Sequence, residues 1–321
     1  MQTPADLIVI LGTGGTIAGT AKNASDGVGY TAAQLGVEDL LSAVPALAAW
    51  RLEALQVAQL DSKDMDFATW QHLARQVDVQ LSRPEVKGVV VTHGTDTVEE
   101  TAYFLQRVLA PKKPVVLTAA MRPATALQAD GPQNLLDAVA VANDVYASGV
   151  LFAFAGAIHS AEQMRKVHSY RIDAFDSAEG ARLGVVEEGR VRWHLRTALP
   201  LEPVGLARLA RPAAQWPRVQ IVMNHAGADG TVVRALLAQG VDGIVVAGTG
   251  NGTLSTLLDV ALREAQAQGV HVLRSTRCDS GPVMDLPGLL PSAGALSPVK
   301  ARIELILALL LLLKPACGGG R

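Results

Sequence analysis

Two threonines, Thr13 and Thr16, stand inside the glycine-rich run Gly12-Thr13-Gly14-Gly15-Thr16-Ile17-Ala18-Gly19. Glycine lets backbone N–H groups approach a ligand closely, and a hydroxyl presented by such a turn is a candidate nucleophile. The run is a poor dinucleotide fingerprint, because Ile17 takes the place of the third glycine in G-x-G-x-x-G. It is no P-loop either, because no Gly-Lys-Ser/Thr follows. A tight turn without chemistry is the competing reading.

A second cluster is Thr92-His93-Gly94-Thr95-Asp96-Thr97-Val98-Glu99-Glu100. Thr95 adds a hydroxyl, and Asp96 a carboxylate that could face the glycine run. Thr97 and Glu100 have the spacing of a capping box, and Asp96 could equally serve as a helix N-cap. His93 is a candidate base or a satisfied structural group. Ser62, in Leu60-Asp61-Ser62-Lys63-Asp64-Met65, could bind a carboxylate or cap the helix that starts near Asp66. Arg122, just before Pro123, could pair with an acid. Arg165, Lys166 and His168 lie in an irregular, charged stretch. A lysine there is a solvated charge or, in a buried site, a general base whose pKa desolvation would lower.

These residues need elements to hold them. Short β-branched runs at 7–11, 89–91, 115–117 and 150–152, and again at 219–223, 243–247 and 270–273, lack polar alternation. Strands covered on both faces read this way. Helix-length segments at 66–81, 96–109, 132–146, 231–239 and 253–268 lie between them. The alternation predicts an α/β fold with mainly parallel sheets, in which ligands sit beyond the carboxyl ends of the strands. The rhythm breaks between 189 and 217, where Pro200, Pro203, Pro212 and Pro217 occur and a small hairpin near 191–195 gives way to a linker. The expected organisation is a larger N-terminal catalytic domain over 1–190, a linker over 191–217 and a smaller C-terminal domain over 218–321.

Composition narrows the classes further. The chain of 321 residues is 49% hydrophobic and 18% charged, far from a disordered composition. Only 4% is aromatic, so the core has to be built from Ala, Val, Leu and Ile. With 28 basic and 30 acidic side chains the formal net charge is −2, which offers no bulk positive charge to a nucleic acid. Cys278 and Cys317 allow one bridge at most, which excludes a disulfide scaffold and a Cys₄ zinc site. Cys317, in a Gly-rich tail, is expected to be free. The longest apolar run, 305–313, is too short for a bilayer, which takes about 20 residues. It reads as the buried face of a last helix. No basic n-region precedes the first strand, so the expected location is cytoplasmic, with no membrane partner.

Together these segments resemble the bacterial-type L-asparaginases, the asparaginase/glutaminase amidohydrolase family. The resemblance rests on residues 13–19 and on His93-Gly94-Thr95-Asp96-Thr97-Val98-Glu99-Glu100-Thr101-Ala102. Ala120-Met121-Arg122-Pro123, Ala129-Asp130-Gly131-Pro132 with Asn134-Leu135, Gly248-Thr249-Gly250-Asn251-Gly252, and Pro298 with Lys300-Ala301-Arg302 add to it. It covers about residues 7–311. It implies two α/β domains, a site completed across an intimate dimer (usually within a homotetramer), and no metal or organic cofactor. The implied reaction hydrolyses the side-chain amide of L-asparagine to L-aspartate and ammonia.

Carried to matching positions, the resemblance implies Thr16 as the nucleophile that forms an acyl-enzyme. Tyr30, on a closing segment over 20–30, would position Thr16. Thr95 and Lys166 would form a second catalytic pair, with Lys166 as the base that passes a proton through Thr95. Asp96 would bind the substrate α-ammonium and order that pair, and Ser62 would bind the α-carboxylate. The Thr95 backbone would serve the oxyanion, and the Ala120 carbonyl would take the amide hydrogen. The chemistry agrees, since an amide is a poor electrophile and a threonine hydroxyl a poor nucleophile. Covalent catalysis then needs a base and preorganised donors.

Two departures bear on specificity. Lys63 stands where the family commonly has Gln, Glu or Asn beside the α-ammonium. A cation there is expected to weaken substrate binding unless it swings away or pairs with the α-carboxylate. Residues 278–290 are short and apolar where the family's secreted members carry a Glu that reaches the neighbouring subunit's site, and Asp285 is the nearest candidate. Both departures favour asparagine over glutamine. The alternatives are a dual glutaminase-asparaginase, an amidase for a related amide, and a binding module. The last would not need both Thr16 and the Thr95-Asp96 pair.

Overall fold

A computed structural model of the protein describes residues 6–177, 182–195 and 202–313. The chain divides into two compact units, Met1–Leu206 and Ala207–Arg321. Both are α/β, as the alternation of runs predicts.

The first unit begins with β1 (Leu7–Gly14), α1 (Val37–Ser42), β2 (Leu52–Leu60), α2 (Phe67–Leu81), β3 (Val86–Thr92), α3 (Val98–Leu109), β4 (Val115–Thr118), α4 (Gly131–Asn143) and β5 (Val150–Phe154). It continues through short strands β6 (Ala157–Ser160), β7 (Met164–Lys166), β8 (Phe175–Ser177), β9 (Gly184–Glu187) and β10 (Arg190–Trp193). One eight-stranded sheet has the order β10-β9-β6-β5-β4-β3-β1-β2. The five strands β2-β1-β3-β4-β5 are parallel, and β6, β9 and β10 join antiparallel. Ile8, Val9, Ile10 and Leu11 on β1 and Val89, Val90 and Val91 on β3 are wholly buried. This is what unbroken apolar runs mean in a covered sheet, and each such side chain contributes about 1.5–3 kcal/mol.

The hairpin expected near 191–195 is β9–β10, and it belongs to the large sheet rather than to a linker. Glu188 and Gly189 both have positive φ, 50° and 69°, which suits a two-residue turn between twisted strands. The first unit therefore continues past residue 190. The segment expected to be irregular around Lys166 holds β6 and the two-stranded β7–β8 hairpin. These strands of three or four residues are too short to carry a readable period.

The second unit contains β11 (Val219–Met223), α5 (Thr231–Ala238), β12 (Gly243–Gly248), α6 (Thr256–Ala267), β13 (His271–Thr276) and α7 (Pro298–Leu312). Its three strands are parallel in the order β11-β12-β13. The apolar run at 305–313 lies on α7 and the residue after it, with Leu305, Ile306, Leu307, Leu309 and Leu310 buried. Among the described residues no helix is long and apolar enough to cross a membrane. Cys278 is exposed and in no disulfide among the described residues, and Cys317 lies outside them.

Candidate active site

In the strand order 2-1-3-4-5 the chain leaves β1 toward opposite sides of the sheet, so a crevice opens at the carboxyl ends of β1 and β3. The glycine run and the Thr92–Thr97 segment follow those two strand ends. Gly14 and Gly15 have φ of 99° and 82°, which carries the chain out of β1 into a 3₁₀ turn over Thr16–Ala18. The loops after β1, β2 and β3 pack backbone to backbone. A Cβ on Gly15 would fall on Gly94, and one on Gly94 would fall on the Ser62 side chain. Two glycines thus bring three strand ends together.

Two hydroxyl centres result. Thr16 is 6% exposed, and its Oγ1 lies 2.6 Å from the Tyr30 hydroxyl. Tyr30 closes a loop pinned at its base by reciprocal backbone hydrogen bonds of 2.9 Å between Thr20 and Thr31. The second centre is Thr95, also buried. Lys166 Nζ, at the end of β7, donates to Thr95 Oγ1 at 2.9 Å and to Asp96 Oδ1 at 2.6 Å. The lysine side chain is 18% exposed and Asp96's is 54% exposed, so the pair is open on the carboxylate side. Ser62 joins this centre, because its Oγ accepts from the Asp96 N–H at 3.2 Å and its carbonyl accepts from Thr97 Oγ1 at 2.7 Å.

Two helix-capping alternatives are decided by hydrogen bonds. Thr97, not Asp96, is the N-cap of α3, and its hydroxyl goes to Ser62 instead of closing a capping box. Asp66 caps α2 through Thr69 N–H, so Ser62 is not needed there. Neither Asp96 nor Ser62 is therefore committed to capping those helices.

His93 does not face it. The ring is fully buried, with Nδ1 2.8 Å from the Gly94 carbonyl and Nε2 2.9 Å from Thr101 Oγ1. A carbonyl only accepts, so Nδ1 carries the proton and Nε2 accepts from the Thr101 hydroxyl, which in turn accepts from Trp70 Nε1 at 2.9 Å. Burial pushes the imidazole pKa down to about 4 from 6.5. A depressed pKa stabilises the fold fully above pH 6.5, and that stability is lost as pH falls toward 4. We expect the urea midpoint to drop between pH 7 and pH 5, and the drop to be smaller in His93→Gln; parallel drops in the two proteins would assign the slope to other groups.

Lys63 is not drawn into the cluster. Its ammonium lies 2.5 Å from Asp64 Oδ2 and 3.4 Å from Asp61 Oδ2, with the side chain 61% exposed. It swings to its own neighbours, and its charge is offset by two carboxylates. The expected effect of Lys63→Gln on KM for asparagine is therefore under about twofold, as for other solvent-screened pairs. A severalfold fall in KM would mean that the lysine turns toward the substrate.

Arg122 stacks over the Tyr170 ring at 4.0 Å and donates to the Tyr170 carbonyl at 2.9 Å, and among the described residues its guanidinium forms no ion pair with an acid. The carboxylate of Asp130 instead takes the backbone N–H groups of Met121 and Arg122, both at 2.9 Å. Burial raises the Asp130 pKa and those two bonds oppose the rise. Ala120 is wholly buried beside Ile17 and Ala18. In the second unit, Asp285 Oδ1 accepts from the Ser292 N–H at 2.8 Å and holds a turn. Buried Arg274 donates to the carbonyls of Leu290, Met284, Asn251 and Gly252, tying the segment before Leu290 to the loop after β12. Among the described residues no group of three or more His, Cys, Asp or Glu side chains is placed to hold a metal ion.

The model of the asparaginase N-terminal domain matches residues 7–199, and that of the glutaminase/asparaginase C-terminal domain matches residues 218–315. The chain belongs to the asparaginase family. Among its relatives are the L-asparaginase 2 of Escherichia coli K12, 37% identical over 94% of this chain and 88% of that protein, and the glutaminase-asparaginase of Pseudomonas fluorescens biotype A, 36% identical over 94% and 86%. The crystal structure of a probable cytoplasmic L-asparaginase from Campylobacter jejuni superposes with a TM-score of 0.89 at 37% identity, covering 94% of each chain.

Within this asparaginase chain, the polar contacts least visible from the sequence join residues far apart. Lys166 reaches Thr95 across 71 positions, and Asn134 reaches the Ala119 carbonyl across the turn after β4. The Asp130 and Asn134 motif was readable, one turn apart on a helix, but its target was not.

Proposed function

We propose that this asparaginase-family chain hydrolyses the side-chain amide of L-asparagine to L-aspartate and ammonia through a threonine acyl-enzyme. The observation that carries the reading is Lys166 Nζ between Thr95 Oγ1 and Asp96 Oδ1, on the same strand-end crevice as the Thr16–Tyr30 pair. One hydroxyl then has a base, and the other has a positioning partner.

Thr16 Oγ1 attacks the amide carbon, held in line by the Tyr30 hydroxyl. The Thr95 backbone N–H stabilises the oxyanion, and the Ala120 carbonyl orients the amide N–H groups. The carbon–nitrogen bond breaks, nitrogen takes the proton given up by the Thr16 hydroxyl, and ammonia leaves an ester on Thr16. Water attacks that ester and passes its proton through Thr95 Oγ1 to Lys166 Nζ; the bond between Thr16 Oγ1 and the acyl carbon then breaks, aspartate leaves, and the proton returns to Thr16. Asp96 receives the substrate α-ammonium. That cation competes with the lysine for one carboxylate. Ser62 binds the α-carboxylate.

Release of ammonia and aspartate from asparagine by the purified protein tests the reading, and a folded protein without that turnover refutes it. Relatives described as glutaminase-asparaginases favour a dual activity as the second reading. Glutamine is one methylene longer, and a misplacement of about 1 Å costs on the order of 100-fold. We expect kcat/KM for glutamine at roughly a few per cent of that for asparagine or less. Comparable values would move the chain to the dual class. The expected assembly is a cytoplasmic homotetramer of intimate dimers, with a mass in light scattering four times the 33.6 kDa of the chain.

A further inference from the structure

Asp130 sits at the N-cap of α4, where aspartate ordinarily accepts from the helix's own first N–H groups. Here no side-chain cap bond forms. The carboxylate turns away from the helix instead. Its Oδ2 takes the Met121 N–H and its Oδ1 the Arg122 N–H, each at 2.9 Å. The helix forgoes a standard capping contact, and the carboxylate fixes the turn after β4 instead.

Asn134, buried one turn further along α4, completes the clasp. Its Nδ2 donates to the Ala119 carbonyl at 2.9 Å and to Asp130 Oδ2 at 3.3 Å, and its Oδ1 accepts from the Ala155 N–H at 2.9 Å. The peptide groups on either side of Ala120 are thereby fixed: Ala119 by its carbonyl, Met121 by its N–H. The Ala120 carbonyl, in the same planar peptide unit as the Met121 N–H, takes no hydrogen bond among the described residues. Gly131 packs against both Ile17 of the glycine loop and the Ala120 methyl, and a Cβ there would meet Ile17 Cγ1 at 2.9 Å. The clasp therefore sets the Ala120 peptide relative to the loop that carries Thr16.

We propose that Asp130, supported by Asn134, is a positioning residue that aims the Ala120 carbonyl at the leaving nitrogen of the substrate. This rests on the amidohydrolase reading above. The consequence is selective. An amide leaving group has N–H hydrogens for that carbonyl to accept, whereas the β-methyl ester of aspartate has none. Disturbing the clasp should slow amide cleavage and largely spare ester cleavage, although both pass through the same acyl-enzyme.

The test compares L-asparagine with L-aspartate β-methyl ester in the wild type and in Asp130→Asn. That variant keeps the shape but sets an amide N–H₂ against a backbone N–H. The expected result is a fall in kcat for asparagine of about 10- to 100-fold, as for a sub-ångström to 1 Å misplacement. KM should change by less than about threefold, because Ser62 and Asp96 are untouched, and ester turnover should fall by less than about threefold. Equal losses on the two substrates, or no loss on asparagine, overturn the proposal. If Asp130→Asn does not fold, Asp130→Ser, which retains one acceptor, is read by the same amide-to-ester ratio. A wild type that cleaves neither substrate refutes the amidohydrolase reading itself, which separates the two failures.

Discussion

Thr16→Ala and Thr95→Val are each expected to lower kcat for asparagine by about 10³-fold or more, by analogy with the removal of members of other nucleophile–base units. Thr16 lies on a 3₁₀ turn and Thr95 on the segment between β3 and α3, and neither is part of a strand or helix interior. The fold should survive both changes, with melting temperatures within a few degrees of wild type, a small shift on the usual scale. The two variants should differ in one respect. Mass spectrometry after rapid quenching should detect no aspartyl adduct on Thr16→Ala, whereas Thr95→Val retains the attacking hydroxyl. Near-normal turnover by folded Thr16→Ala protein would remove the threonine from the mechanism.

Lys166→Met carries the second large effect. The methionine fills a similar volume but cannot take a proton from Thr95, so kcat should fall by about 10²- to 10⁴-fold, the usual range for a lost general base. KM should move little, because Asp96 keeps its bond from backbone to Ser62 and remains available to the α-ammonium. In Lys166→Ala, a primary amine such as ethylamine in the buffer should restore part of the rate. A loss of under about fivefold, with no rescue, would make Lys166 a structural cation.

How much of this was legible depends on the range of each contact. The buried parallel strands read as unbroken β-branched runs because both faces are covered, and the glycine loop read correctly because its constraint is local. The Lys63 ammonium turned to Asp61 and Asp64, charges that are adjacent in sequence, yet the competition between them and a substrate is decided by side-chain rotamers that no spacing encodes. Lys166 depends on a three-residue strand whose pairing with Phe175–Ser177 leaves no period to read. The spacing of Thr97 and Glu100 suggested a capping box, but the Ser62 carbonyl, brought in by β2 from 35 positions away, took the hydroxyl instead. Local chemistry proposed partners, and long-range packing chose among them.

The contact of Gly15 with Gly94, and of Gly94 with Ser62, also limits how this enzyme can be altered. No side chain fits between the Gly15 and Gly94 backbones, or between Gly94 and the Ser62 side chain, so the loops cannot be shifted one at a time. In a saturation library we would find positions 15 and 94 closed to every replacement, alanine included. Variants that broaden the substrate range would then be recovered at residues that border the crevice without spanning it, such as the half-open Asp96 side or the Tyr30 loop. The part of the molecule that makes catalysis possible is, for the same steric reason, the part least available to laboratory evolution.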